Sequence, residues 1–286
     1  MATNHVDARD ATNGSTALWR AAEVGDEAAV EDLIARGADV EARDRHGYAS
    51  PLLWACSGGH LACARALLAA GAEPDGTAHL EKTPLHRAAG YGHTAVLRLL
   101  LQHGAAVNAL ARSGVTPLME AAGASGSVRE ECVAVLLEAG ADTGLQDDLG
   151  QYALSLAASL GAPSLVQLLL RHGADPDIRV GVLDGLSIED WCREQWRKLP
   201  GAYLAVPEEQ REAALGAIRS TSVANALWRR RRVMLMLQAR RMKGEDITAA
   251  LTPSHAADAR LRDLVMWVLL RQDHGTQLFR LITMFL

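Results

Sequence analysis

The sequence predicts an all-α protein, a solenoid of about five helix-turn-helix repeats followed by an α-helical C-terminal extension. Three observations carry this. Pro51, Pro84 and Pro117 stand 33 residues apart, each near the start of a copy of the same word. Within each copy the apolar residues recur at helical spacing. After Arg179 the copies stop and the composition shifts toward tryptophan and arginine. A fixed period near 33 residues marks a stack of units, none of which can bury its apolar face alone.

The units follow in order. TALWRAAEVGDEAAVEDLIARGADV from Thr16 is a degenerate first copy. SPLLWACSGGHLACARALLAAGA from Ser50, TPLHRAAGYGHTAVLRLLLQHGA from Thr83 and TPLMEAAGASGSVREECVAVLLEAGA from Thr116 are the close copies, and YALSLAASLGAPSLVQLLLRHGADP from Tyr152 is a degenerate fifth. In the third copy Thr83 suits a helix cap and Pro84 the first turn, where a missing N–H costs nothing. Ala88 and Ala89 are small enough to let neighbouring helices approach closely. Val96, Leu99, Leu100 and Leu101 give the second helix an apolar stripe, and Gly104 ends it. In the fourth copy GASGSVREE inserts about three residues, which predicts a longer turn between the helices, a place where insertions are tolerated.

With these words and their order, the chain from about Asn13 to Arg179 resembles the ankyrin-repeat family. The resemblance implies a β-turn, two antiparallel helices and a projecting hairpin finger per repeat, stacked into a curved slab. It divides the chain into an N-terminal tail, 1–12, a repeat domain, 13–179, and a helical extension or cap, 180–286. Asn108 stands where some family members are hydroxylated, but Ala106 replaces the acidic residue usual before the valine, so this position departs from the pattern.

Composition narrows the function. An apolar fraction of 49% over 286 residues is enough to bury a core. A formal charge of −5 gives no general attraction to nucleic acid or to an anionic membrane. The start has no secretory pattern and no apolar run is long enough to span a bilayer, so an intracellular setting, cytoplasmic or nuclear, is expected. Cys56, Cys63, Cys132 and Cys192 lack the close pairing of a zinc site, and reduced thiols used as small buried fillers are expected, with Cys56 and Cys63 able to share a helical face. His86 reads as a turn histidine bonding backbone, and His60 and His93 follow the glycine of the inter-helix turn. Thr83 has no base placed beside it, and no phosphate loop, nucleophile elbow or carboxylate pair occurs. The expectation is a non-enzymatic protein with no cofactor and no metal.

Function then falls to residues free of packing duty. The resemblance implies that finger tips and the inner face of the first helices form a concave binding surface. On the fingers it selects Arg45, His46 and Tyr48, then His79 and Lys82, then Arg112, then Asp148 and Gln151. The position before the paired alanines selects Arg20, Trp54, Arg87, Glu120 and Leu156, and Tyr91 adds an aromatic just after them. Aromatic residues are only 4% of the chain, and Trp, Tyr and Arg make strong interface anchors. The predicted partner is a protein with an acidic or mixed-charge segment, in a complex with other subunits.

In the extension Ser187 with Asp190 three residues on predicts a short helix, broken at Pro200 and Gly201. A longer helix is expected from about Pro207 to Lys243 with a break near Ser220 to Ser222, then helices over about Ala256–Gln272 and Thr276–Leu286. Trp191, Trp196 and Leu199 are candidates to cover the exposed end of the stack. Arg229, Arg230, Arg231 and Arg232 are a possible second site, for acidic protein, phosphate, nuclear import or a membrane surface; equally, they reach solvent while the adjoining Met and Leu residues pack. The tail is similar to those of some algal ankyrin proteins, a likeness that carries no activity. An alternative function is a ubiquitin-ligase adaptor, since Leu261, Val265 and Leu269 have the spacing of a SOCS-box helix, although Arg260 and Val265 depart from that motif and no Leu-Pro segment follows.

Overall fold

A computed structural model describes residues 5–10, 14–43, 49–76, 81–124, 129–181, 185–198 and 206–241, with side chains in the last range described to residue 227. The chain divides into two compact units, 1–221 and 222–286.

In the first unit, five helix pairs follow one another: α1 (Ala17–Val24) with α2 (Glu27–Ala35), α3 (Pro51–Gly58) with α4 (Leu61–Ala69), α5 (Pro84–Tyr91) with α6 (Thr94–Gln102), α7 (Pro117–Gly123) with α8 (Arg129–Glu138), and α9 (Ala153–Ser159) with α10 (Pro163–Arg171). The first helices pack in sequence order, α1 on α3, α3 on α5, α5 on α7 and α7 on α9, while α2, α4, α6, α8 and α10 form a parallel row behind them. This is the architecture the 33-residue period predicts.

Local chemistry starts and stops several of these helices. The Thr16 hydroxyl accepts the Trp19 N–H at 3.2 Å, and Thr116 accepts that of Met119 at 3.2 Å. Each such cap contributes about 1 kcal/mol. Gly104 ends α6 at φ 82, a conformation in which a Cβ would be crowded, while the Ala105 N–H returns to the Leu100 carbonyl at 3.0 Å.

Between the two rows lies one continuous apolar layer. Leu18, Leu52, Leu85, Leu118 and Leu154 recur at one position of the first helices, all 1% exposed or less, each worth roughly 1.5–3 kcal/mol of burial. The paired small residues Ala21/Ala22, Ala55/Cys56, Ala88/Ala89, Ala121/Ala122 and Ala157/Ala158 are buried where helices cross closely. Polar ties run along the turns that follow the second helices. The side chains of Asp7, Glu41, Asp75 and Asn108 accept the backbone N–H of Asp39, Glu73, Ala106 and Asp142 at 3.0, 2.9, 3.0 and 2.9 Å. Asn108 is therefore a tie between repeats.

Both ends of the stack are covered. A 3-10 turn, His5–Asp7, buries Val6 against the first pair, and Arg9 donates to the Gly14 carbonyl at 3.0 Å. At the other end a short antiparallel ladder, β1 (Arg179–Val180) with β2 (Leu186–Ser187), pairs Arg179 with Ser187 and leads into α11 (Ile188–Lys198). Ser187 accepts the Asp190 N–H at 3.1 Å, the predicted cap. Helix α11 packs on α9 as the next first helix would, and α12 (Glu208–Arg241) buries Ala214, Leu215 and Ile218.

Two expectations are corrected. Helix α12 runs unbroken through Ser220–Ser222, because the Thr221 hydroxyl bonds back to the Ala217 carbonyl at 2.9 Å and so is satisfied inside a helix. Cys56 and Cys63 lie on different helices, α3 and α4, separated by the turn at Gly59 and His60. Of the second unit, the described part is α12 from Ser222 to Arg241. Most of the fourth-repeat insertion, Leu199 to Gly201, the helices expected over 256–272 and 276–286 and the SOCS-box spacing at Leu261, Val265 and Leu269 lie outside the described residues.

Candidate protein-interaction face

Histidines that punctuate the repeats bond the backbone of the scaffold. His86 is buried, and its Nδ1 accepts the Thr83 backbone N–H at 3.1 Å. The proton must then sit on Nε2, which donates to the Val115 carbonyl at 2.9 Å and ties α5 to the next finger. Burial holds the His86 pKa below the ordinary histidine value, opposed by the bond to Val115. His60 donates from Nε2 to the Glu23 carbonyl at 3.0 Å, and His93 likewise to the Ser57 carbonyl at 2.9 Å. Each imidazole lies over the turn glycine of the preceding repeat: a Cβ on Gly25 would come within 2.4 Å of His60, and one on Gly59 within 2.5 Å of His93. These rings latch one repeat to the next, and in His86 both ring nitrogens are engaged by backbone.

The same place at the end of the stack is taken by Trp196 of α11. Its indole N–H donates to the Ser159 carbonyl at 2.7 Å, and the Arg211 guanidinium lies 5.2 Å from the ring centroid. Around it Arg193 bonds Glu189 and Glu212 at 3.0 and 3.3 Å, and Arg219 bonds Glu212 at 2.7 Å and approaches Glu189 at 3.6 Å. Trp191 is half-buried against the core.

The thiols are inert. All four cysteines are free and buried, burial raises every thiol, and Cys192 is pushed up to about 12 with help from Glu189. Among the described residues no three His, Cys, Asp or Glu side chains are grouped to hold a metal ion.

The position before the paired small residues forms a row along α1, α3, α5, α7 and α9: Arg20, Trp54, Arg87, Glu120 and Leu156. Arg20 pairs with Asp10 at 3.1 Å. Trp54 is half-buried and meets Trp19 edge to face, with centroids 5.1 Å apart. Arg87 is half-buried as well. Trp54 Nε1, Trp19 Nε1 and Arg87 Nε are shielded from solvent and have no hydrogen-bond partner among the described residues. Buried donors are normally satisfied, so three unmet donors in adjoining repeats set this patch apart.

The remaining selected residues divide clearly. Lys82 and Glu120 form an ion pair at 2.6 Å, with side chains 25% and 21% exposed, so neither charge stands alone. Gln151 is half-buried, its backbone N–H donating to Asp147 Oδ1 at 2.8 Å and its side-chain amide to Oδ2 at 3.4 Å. Tyr91, Arg112 and Asp148 are exposed, Tyr91 by 58%. Successive fingers are joined by backbone bonds, Asp148 N–H to the Ser113 carbonyl at 2.9 Å and Gly181 N–H to the Gly150 carbonyl at 3.0 Å. Arg45, His46, Tyr48 and His79 lie outside the described residues, as do the side chains of Arg229, Arg230, Arg231 and Arg232, whose backbone belongs to α12.

Trp19 was not selected from the sequence, although TALW places it at the position of His86 in TPLH. An indole there has a donor but no acceptor, so it cannot copy the histidine's two bonds.

A family model for ankyrin repeats, three copies, matches residues 1–78 and 52–147, and one for a single ankyrin repeat matches 149–180. The chain belongs to the ankyrin-repeat family and is a protein-interaction module of a generally non-enzymatic kind. No curated protein matches it. Among the described residues no helix is long and apolar enough to cross a membrane.

Proposed function

We propose that the face carrying Trp54 and Arg87, with Tyr91 and Arg112 beside them, grips a protein segment that presents hydrogen-bond acceptors. The observation that carries this reading is the pair of unmet donors, Trp54 Nε1 and Arg87 Nε, at equivalent positions of neighbouring repeats. Both are shielded from solvent, so reaching an acceptor takes a rotamer change of a half-buried group. A main-chain carbonyl or a carboxylate satisfies either donor, and a carboxylate gains most from the guanidinium. With Lys82 held by Glu120, the cationic character rests on Arg87 and Arg112, opposed by Glu81 and Asp148, which favours a mixed-charge segment over a uniformly acidic one.

The rest of the reading follows from this. The extension caps the stack through α11 and the start of α12, an intracellular setting suits four free thiols, and the arginines of α12 are left for a second contact in a larger complex. Cross-linking mass spectrometry on proteins co-purified with the full chain tests the assignment. A partner cross-linked to Lys82 and lost from a Trp54→Ala/Arg87→Ala variant supports it. A ubiquitin-ligase partner retained by that variant and lost on deleting residues 261–286 supports the adaptor alternative instead.

A further inference from the structure

We propose that Glu81 is a partner-contacting residue, selecting a lysine or arginine of the bound segment; this rests on the face just described being the binding surface. Glu81 has φ 57, the one non-glycine with positive φ among the described residues. Its place, two residues before the helix cap, is held in three other fingers by Gly14, Gly114 and Gly150 at φ 69, 71 and 69. In that left-handed conformation a Cβ is crowded against the backbone, which glycine avoids. One finger therefore keeps a charged side chain where three others have none.

Space does not forbid it, and the fold does not use it. A Cβ on Gly150 would lie 2.6 Å from the Gly181 carbonyl carbon, which leaves no room for a side chain, and one on Gly114 would lie a tight 3.3 Å from Asp147 Cα. Glu81 is exposed, and among the described residues its carboxylate has neither a hydrogen bond nor an ion pair. The adjoining Lys82 is taken by Glu120. A strained residue whose side chain serves nothing within the chain points outward to what it binds. A carboxylate only accepts, so its counterpart is a donor, and at an exposed position a cation matches a carboxylate best. The bound segment then carries an acceptor for Trp54 and Arg87 and a cation for Glu81.

The test uses the full chain and a phage-displayed library of random 15-residue peptides as the probe, followed by affinities of the selected peptides for wild type, Glu81→Gln, Glu81→Gly and Trp54→Ala/Arg87→Ala. Selected peptides should carry lysine or arginine, and both Glu81 variants should bind about three- to tenfold more weakly. Glu81→Gly should also melt about 2–4 °C higher, which separates lost contact from lost folding. Unchanged affinity in the Glu81 variants, with binding lost in Trp54→Ala/Arg87→Ala, overturns the assignment of Glu81 and leaves the face intact. Peptides indifferent to every variant, or no selected peptide at all, overturn the face as the binding surface and this proposal with it.

Discussion

Trp196 holds the Ser159 carbonyl in the way that His93 holds the Ser57 carbonyl, at 2.7 and 2.9 Å. The two acceptors occupy the same position of their repeats, so the extension closes the stack by imitating the bond that the next repeat would make. An indole serves because only a donor is needed there, and its large apolar face covers what a sixth repeat would have covered.

Replacing Trp196 by Phe keeps most of that cover and removes the donor. The Ser159 carbonyl is then left unmet, at a cost of about 1–2 kcal/mol. Urea unfolding should show the loss, and hydrogen exchange should speed up first in α9 and α10.

The charges that join α11 to α12, Arg193, Glu189, Arg219 and Glu212, lie at the surface and are screened by salt. Raising ionic strength from 0.05 to about 1 M should loosen the cap without melting the repeats. Faster exchange in α11, with that in α5 unchanged, is the expected pattern.

His86 predicts a pH dependence. Its folded pKa is lowered by burial, so the unfolded chain binds the proton more readily. The stability it contributes is present above the ordinary histidine pKa and is lost as pH falls below it. Melting temperatures from pH 7.5 down to 5 should therefore drop more steeply for wild type than for His86→Gln.

Much of the stack was legible because the repeats restate the same local rules: paired small residues, a leucine stripe and a closing glycine in all five, with proline in the first turn of the middle three, at Pro51, Pro84 and Pro117. Pairings across the stack were not. Lys82 and Glu120 are 38 residues apart, and Trp19 and Trp54 are 35 apart, distances at which spacing says nothing of which side chains meet. The expected break at Ser220 to Ser222 failed because propensity ignores a hydroxyl's bond to its own helix. Glu81 was passed over because its distinction is a backbone angle, φ 57, which the residue type alone does not state.

Glu81→Gly should stabilise the chain by about 1 kcal/mol, since it removes a left-handed Cβ and little else. Chemical denaturation checks this independently of any partner. A destabilised variant would mean that the carboxylate is used within the fold.

The ion pair of Lys82 and Glu120 is under one-third exposed on both sides. A double-mutant cycle with alanine should give a coupling of about 0.5–1 kcal/mol. Glu120→Ala alone should strengthen binding of acidic peptides, because it releases the lysine.

The most direct test of the account is calorimetric titration of the cross-linked partner segment into the full chain and into the Trp54→Ala/Arg87→Ala variant, with helicity checked by circular dichroism. The account predicts an unchanged fold and an affinity at least tenfold lower, as expected for anchors worth about 2 kcal/mol. Equal affinity for the two chains would contradict it and move the binding site away from the inner-helix face.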